Sequence, residues 1–225
     1  MKTAIGFAAH PDDLEFSCTA KMKQLHDRGY RLIYVIITNG ENGFKSTSES
    51  TAEQRISIRK NEQLKVAELL GVEQVYFLDY RDGFLEYSEK LRSELVKLIK
   101  DYKPEIVFSF DPANKSFSSL NLLHRDHRVA AEAVFDACFA AKNFHMYPGE
   151  RHQIKEMYFF ASDKPNYFVD ITDLIDFKLE LLACHKSQFP DFSKVEKYIK
   201  KNVCNQSKKY KYSEAFRILE VKQVT

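Results

Sequence analysis

"FAAHPDDLEF", residues Phe7 to Phe16, runs an apolar strand pattern into a histidine, a proline and two adjacent acids, and then into helical spacing. Read as structure, it is a strand-to-helix turn with a cap. Proline suits the first helical turn and carboxylates favour helix N-termini, each by about 0.3 to 2 kcal/mol. Read as chemistry, it is half of a metal site. The surrounding pattern fixes the context of both readings. "TAIGFAA" (Thr3 to Ala9) reads as a buried strand, "LEFSCTAKMKQLHDRG" as one helix stopped by Gly29, and "RLIYVIIT" (Arg31 to Thr38) as a second buried strand. The helix Thr51 to Gly71 and the strand "QVYFLDY" (Gln74 to Tyr80) follow. Then come the helix "SEKLRSELVKLIKDY" and the strand "PEIVFSF" (Pro104 to Phe110).

Four strand-helix alternations imply parallel strands joined by crossover helices. The expected fold is α/β: a three-layer, Rossmann-like, mostly parallel sheet with helices on both faces and extra strands in the C-terminal part. These extra strands are "IKEMYFFAS", "NYFVDIT" and "EAFRILEV", with the helix "DLIDFKLELLACHKSQ" among them. Residues 1–225 read as a single domain, with a core in 1–150 and a C-terminal completion in 151–225. Ligands of such sheets bind outside the carboxyl ends of the strands, where His10 stands. Two segments on that edge, Asn39 to Ser50 and Asp111 to Leu123, exceed the roughly 2 to 6 residues of ordinary βα loops and are candidate lids.

Composition narrows the partners. The chain of 225 residues has 34 basic and 32 acidic residues and a formal charge of +2, which gives no basic excess for nucleic acid. No stretch reaches the roughly 18 apolar residues of a membrane span, and acids follow the start too closely for a signal peptide. A cytoplasmic protein with a small-molecule partner is expected. Cys18, Cys138, Cys184 and Cys204 are widely spaced without a C-x-x-C pair, so free thiols are expected. The lysine-rich run Lys194 to Tyr212 reads as a solvated helix face.

A second cluster changes the weight of the first. In "LNLLHRDHRVAAEAVFDACFAA" (Leu120 to Ala141), His124 and His127 lie three apart at a helix mouth, on one face, with Asp126 between them. Both clusters follow strands of the same sheet at its carboxyl edge. Two imidazoles and a carboxylate with an open position suit a catalytic zinc site, because structural sites are usually closed by four protein ligands.

"AHPDDLEFSC" together with "HRDH" resembles the LmbE-like, or PIG-L, family of zinc-dependent de-N-acetylases acting on N-acetylglucosamine derivatives. The resemblance extends to "ITNGENG", Ile58 to Gly83, "YKPEIVFSFDP", "HKSQ" (His185 to Gln188) and "YSEAFRIL". It implies that His10, Asp13 and His127 bind Zn2+ and that Asp12 is the general base. It further implies that a protonated His124 stands beside the developing oxyanion, with Asp126 steadying it. Substrate contacts are expected at Arg55 and Arg59, on one helical face with Glu62, at Arg81 and Asp82 beyond the third strand, and at His185. The implied reaction is hydrolysis of an N-acetylated sugar conjugate to acetate and a free amine, and the implied assembly is a homo-oligomer, a trimer or hexamer. Against the family's usual pattern the chain carries Ser17, Thr19, Ala20, Leu122 and Arg125. Two rival readings are a non-catalytic sugar- or metal-binding relative and a magnesium-dependent phosphoryl-transfer domain built on Asp12 and Asp13. Magnesium prefers oxygen ligands, which two imidazoles do not supply.

Overall fold

A computed structural model of the chain describes residues 1–43, 50–116 and 124–221. Seven strands form one sheet in the order β3-β2-β1-β4-β5-β7-β6. They are β1 (Thr3–Ala8), β2 (Arg31–Thr38), β3 (Gln74–Tyr80), β4 (Ile106–Phe110), β5 (Glu156–Phe160), β6 (Tyr167–Asp170) and β7 (Ser213–Glu220). Strands β3, β2, β1, β4 and β5 run parallel, while β7 lies antiparallel between β5 and β6. The mostly parallel sheet, the helices on both faces and the late extra strands match the sequence reading.

The described helices are α1 (Asp13–Ser17), α2 (Thr19–His26), α3 (Ala52–Leu70), α4 (Glu89–Tyr102), α5 (Arg125–Ala141), α6 (Ile175–Ala183) and α7 (Phe192–Tyr198). Helices α1, α2 and α3 pack against α6, and α4 packs against α5 beside β4 and β1. Strand β1 is buried along its whole length, and β2 is buried beyond Arg31, as strands covered on both faces must be. Gly6 sets how closely α1 lies on β1, since a Cβ there would stand 3.0 Å from Leu14 Cδ1. Leu14 is fully buried in this contact, worth about 1.5–3 kcal/mol, and so fixes the start of α1 relative to the strand end.

Strand order reverses between β1 and β4, which makes the crevice beyond their carboxyl ends the topological switch point. His10 follows β1, and α5 follows β4. Both sequence clusters therefore open onto this crevice.

The helix expected to run unbroken from Leu14 breaks at Cys18, whose φ of −144° is not helical. The cause lies far along the chain. Glu214, at the start of β7, accepts the amides of Ala20 at 3.0 Å and Lys21 at 2.8 Å and so caps a new helix, α2. Elsewhere the reading matches the local signals. Thr51 and Gln54 form a capping box on α3, Gly71 ends that helix with a φ of 79°, and Ser88 caps α4. All four cysteines are free, and three of them are buried. In the lysine-rich run, Ile199 and Cys204 point inward and most of the remaining side chains are exposed or half-buried.

Candidate active site

The turn after β1 is unusual in its backbone. Asp12 occupies the N-cap position of α1 with φ 96°, left-handed for a non-glycine residue, which costs on the order of 1–3 kcal/mol. Its carboxylate makes no cap hydrogen bond. The capping explanation for this acid therefore fails. What holds the strained turn is α3: Gln63 Oε1 accepts the Asp12 amide at 3.2 Å, and Arg59 donates to the Pro11 carbonyl and, at 3.1 Å, to Asp12 Oδ2. Asp13 turns the other way, accepting the His10 amide at 2.7 Å.

Four donor atoms of three residues converge opposite this turn. His10 Nδ1 lies 3.2 Å from His127 Nε2 and 3.5 Å from Asp13 Oδ2, and His127 Nε2 lies 3.2 Å from Asp13 Oδ1. Four ligands placed tetrahedrally at about 2.0–2.2 Å from a zinc ion would be separated by about 3.3–3.6 Å. These separations, each taken to one of the two Asp13 oxygens, are of the size expected between neighbouring ligands, and the donor set of two imidazoles and one carboxylate suits the ion. A ring nitrogen of His124 also lies within 4.8 Å of the nitrogens of His10 and His127. His127 is further oriented by Phe110, stacked on it with ring centroids 4.1 Å apart.

The second nitrogen of His10 faces carboxylates. Nε2 is 3.0 Å from Asp82 Oδ1 and 3.2 Å from Asp126 Oδ2. These three residues also group closely enough to suggest an ion, but the imidazole N–H explains the cluster without one: it donates to carboxylates that fix the ring for a metal on the opposite nitrogen. Burial lowers the His10 pKa, and the hydrogen bonds to Asp126, Asp13 and Asp82 outweigh it, leaving the pKa well above its ordinary value. Asp13 is pulled strongly down despite its burial, by the neighbouring charge of His127 and the hydrogen bond to His10.

The remaining residues expected at the site fall into place around this centre. Asp126 steadies His124 through its backbone, donating its amide to Nδ1 at 3.3 Å. Its carboxylate lies 3.2 Å from His10 Nε2 and accepts the amides of Gly83 and Leu85. With Nδ1 accepting, the proton of a neutral His124 sits on Nε2. Burial lowers the His124 pKa and the nearby His10 charge adds to the fall, while the charge of Asp126 works against both.

Asp82 is buried, accepting the Asn42 amide at 2.9 Å as well as facing His10. Arg59, 2% exposed, spends its guanidinium on Pro11, Gly40 and Asp12. Gly40 makes room for it, since a Cβ there would meet Arg59 NH1 at 2.7 Å. Arg55 straps the loop after β2 by donating to the carbonyls of Glu41 and Ser50, and Glu62 accepts the amide and hydroxyl of Ser187. His185 is buried with Nε2 3.2 Å from Glu15, beneath the turn rather than in the crevice. Arg81 is the exposed member of the group. Arg125 donates to the Leu85 carbonyl and stands 3.9 Å from Glu86. Of the two candidate lids, residues 44–49 and 117–123, the latter including Leu122, lie outside the described residues.

Sequence reasoning missed Gln63 and Glu15. Gln63 links them, giving one amide oxygen to Asp12 and its nitrogen to Glu15 at 3.2 Å. Their signal was present: Arg59 and Gln63 lie four apart on one face of α3.

Comparison with known proteins identifies the family. Residues 5–138 match the family model described as PIG-L, GlcNAc-PI de-N-acetylase. The chain is 32% identical over 198 residues to diacetylchitobiose deacetylase of Thermococcus kodakarensis, covering 85% of this chain and 72% of that one. It is 27% identical to the probable N-acetyl-alpha-D-glucosaminyl L-malate deacetylase 2 of Bacillus anthracis, covering 80% of this chain and 78% of that one. The structure of N,N'-diacetylchitobiose deacetylase from Pyrococcus horikoshii, solved with an inhibitor, superposes with a TM-score of 0.89 at 31% identity, covering 97% of this chain and 84% of that one. The chain belongs to the PIG-L family of de-N-acetylases.

Proposed function

We propose that the protein is a zinc-dependent de-N-acetylase that hydrolyses the acetamido group of an N-acetylglucosamine-type conjugate, releasing acetate and a free amine. The observation that carries this reading is the triangle of His10 Nδ1, Asp13 and His127 Nε2 at 3.2–3.5 Å, with Asp12 adjacent and uncommitted to capping. Its relatives are deacetylases of N-acetylglucosamine compounds.

His10, Asp13 and His127 would hold zinc, which when bound would act as a Lewis acid toward the amide carbonyl and lower the pKa of water. The protein supplies the rest. Asp12 takes the proton of the attacking water, a contribution on the order of 100- to 10,000-fold. Burial raises the Asp12 pKa and the charge of Asp13 adds to the rise, while Arg59 works against both, so the group is a stronger base than an exposed aspartate. With Nδ1 accepting the Asp126 amide, His124 offers its Nε2–H to the oxyanion that forms as the carbonyl becomes tetrahedral. The proton gained by Asp12 is then available to the departing amine.

Zinc rather than magnesium is the metal this nitrogen-containing donor set favours. Among the described residues no helix is long and apolar enough to cross a membrane, and the free thiols suit a reducing compartment, which supports a cytoplasmic location. The family resemblance supports a trimer or hexamer, checked by sedimentation. The activity itself is tested by incubating zinc-loaded protein with a panel of N-acetylglucosamine conjugates and assaying free amine. Release that a chelator abolishes and zinc restores is expected, whereas binding without release would favour the non-catalytic reading.

A further inference from the structure

Pro11 and Asp12 are the central residues of a reverse turn. The Asp13 amide donates across it to the His10 carbonyl at 3.4 Å, and Asp12 has φ 96° and ψ −21°. These angles belong to the third position of a type II turn, which normally carries glycine. Rotating the Pro11–Asp12 peptide by half a turn gives a type I turn, which also takes proline second and returns the following residue to negative φ. Local sequence therefore favours the other form. Helix α3 grips this peptide at both of its polar atoms: Arg59 donates to the Pro11 carbonyl, and the Asp12 amide donates to Gln63 Oε1 at 3.2 Å. A rotated peptide would set its carbonyl against that oxygen and its N–H against a guanidinium.

The grip requires Gln63 to present its oxygen rather than its nitrogen, although a side-chain amide is nearly symmetric in shape. Glu15 decides which. Its Oε1 accepts from Gln63 Nε2 at 3.2 Å, its Oε2 lies 3.2 Å from His185 Nε2, and all three side chains are fully buried. A reversed amide would set oxygen against carboxylate and N–H against N–H, with no water to satisfy either. We propose that Gln63, oriented by Glu15, is a positioning residue that holds the His10–Asp13 turn in its type II form and so aims Asp12 at the attacking water, an inference that rests on reading Asp12 as the base of a de-N-acetylase. Rotation of the peptide leaves the Cα positions of a turn nearly in place, so the spacing of His10 and Asp13 is spared. It re-aims the Cα–Cβ bond of Asp12, and misplacing a reacting group by about 1 Å costs on the order of 100-fold in rate.

The test compares full-length, zinc-loaded parent, Gln63→Leu, Gln63→Glu and the exchange Glu15→Gln/Gln63→Glu on the N-acetylglucosamine conjugate that the parent cleaves best. Gln63→Leu lowers kcat about tenfold or more at unchanged KM and zinc content. Its crystal structure shows the Pro11–Asp12 peptide rotated and Asp12 at negative φ. Gln63→Glu sets two carboxylates together and loses rate likewise. The exchange recovers the rate, because the amide now at position 15 donates to the carboxylate now at position 63, which again accepts the Asp12 amide. A residue that only supports folding would lower the melting temperature and leave kcat and the Asp12 φ alone. Parent kcat in Gln63→Leu at equal zinc, an unrotated peptide in that variant, or no recovery in the exchange overturns the proposal. Should Gln63→Leu not fold, Gln63→Glu against the exchange decides. If the parent releases no amine while the peptide still rotates in Gln63→Leu, the de-N-acetylase reading falls and the hold on the turn stands.

Discussion

His10 Nε2 lies 3.0 Å from Asp82 Oδ1, on the side of the ring away from the nitrogen that faces His127. In the proposed metal site, Asp82 would orient His10 and strengthen it as a donor. Asp82→Asn keeps the shape and removes the charge, and zinc affinity is expected to fall about 10- to 100-fold. Competition with a chromogenic chelator measures it. An unchanged affinity in a variant that melts like the parent would assign Asp82 to another role.

Lys178 and Glu214 make a second prediction, about how the C-terminal strands are held. Lys178 Nζ lies 2.7 Å from Glu214 Oε1 with both side chains buried, and the same carboxylate caps α2. Glu214→Ala leaves a buried ammonium and two amides without their acceptor, at a cost of about 3–5 kcal/mol. For a chain of this size the melting temperature should drop on the order of 10 °C. Adding Lys178→Met should recover much of that loss, because no unpaired charge then remains inside. A single variant that melts with the parent contradicts the assignment.

Much of the fold was legible because its signals are local. Thr51, Gly71 and Ser88 punctuate their helices with their own side chains or backbone, and β2 and β3 fall where the sequence placed them. The break at Cys18 was hidden because its cause, Glu214, is 194 residues from Ala20. At the site, the spacing of His10, Asp13, His124 and His127 pointed to side chains that the structure brings together. The partners of Arg59, Asp82 and Asp126 did not show, because hydrogen bonds between loops depend on how the helices settle on the sheet. Arg59, expected from the sequence as a substrate contact, is buried and braces the Asp12 turn.

Below that turn, His185 links the fold to pH. Burial lowers its pKa, but the hydrogen bond and charge of Glu15, with the charge of Asp12, more than compensate and raise it above the ordinary 6.5. The folded state then holds this proton more tightly than the unfolded chain does. Its contribution to stability is complete below about pH 6.5 and is lost as pH rises through the folded pKa, with a slope of at most about 1.4 kcal/mol per pH unit. His185→Gln removes this titration. Melting curves between about pH 6 and pH 9 should converge for parent and variant as pH rises, and a constant difference would show that His185 does not carry the dependence.

The division of labour between the adjacent acids is the centre of the proposed mechanism. Asp13 closes the triangle with His10 and His127, whereas Asp12 is held out of it by Arg59 and Gln63. Asp13→Ala should therefore lose zinc and activity together. The most direct measurement is the amine-release rate of Asp12→Asn with its zinc content determined on the same sample. With zinc per chain equal to that of the parent, the rate is expected to fall about 100-fold or more; turnover at the parent rate would contradict Asp12 as the base.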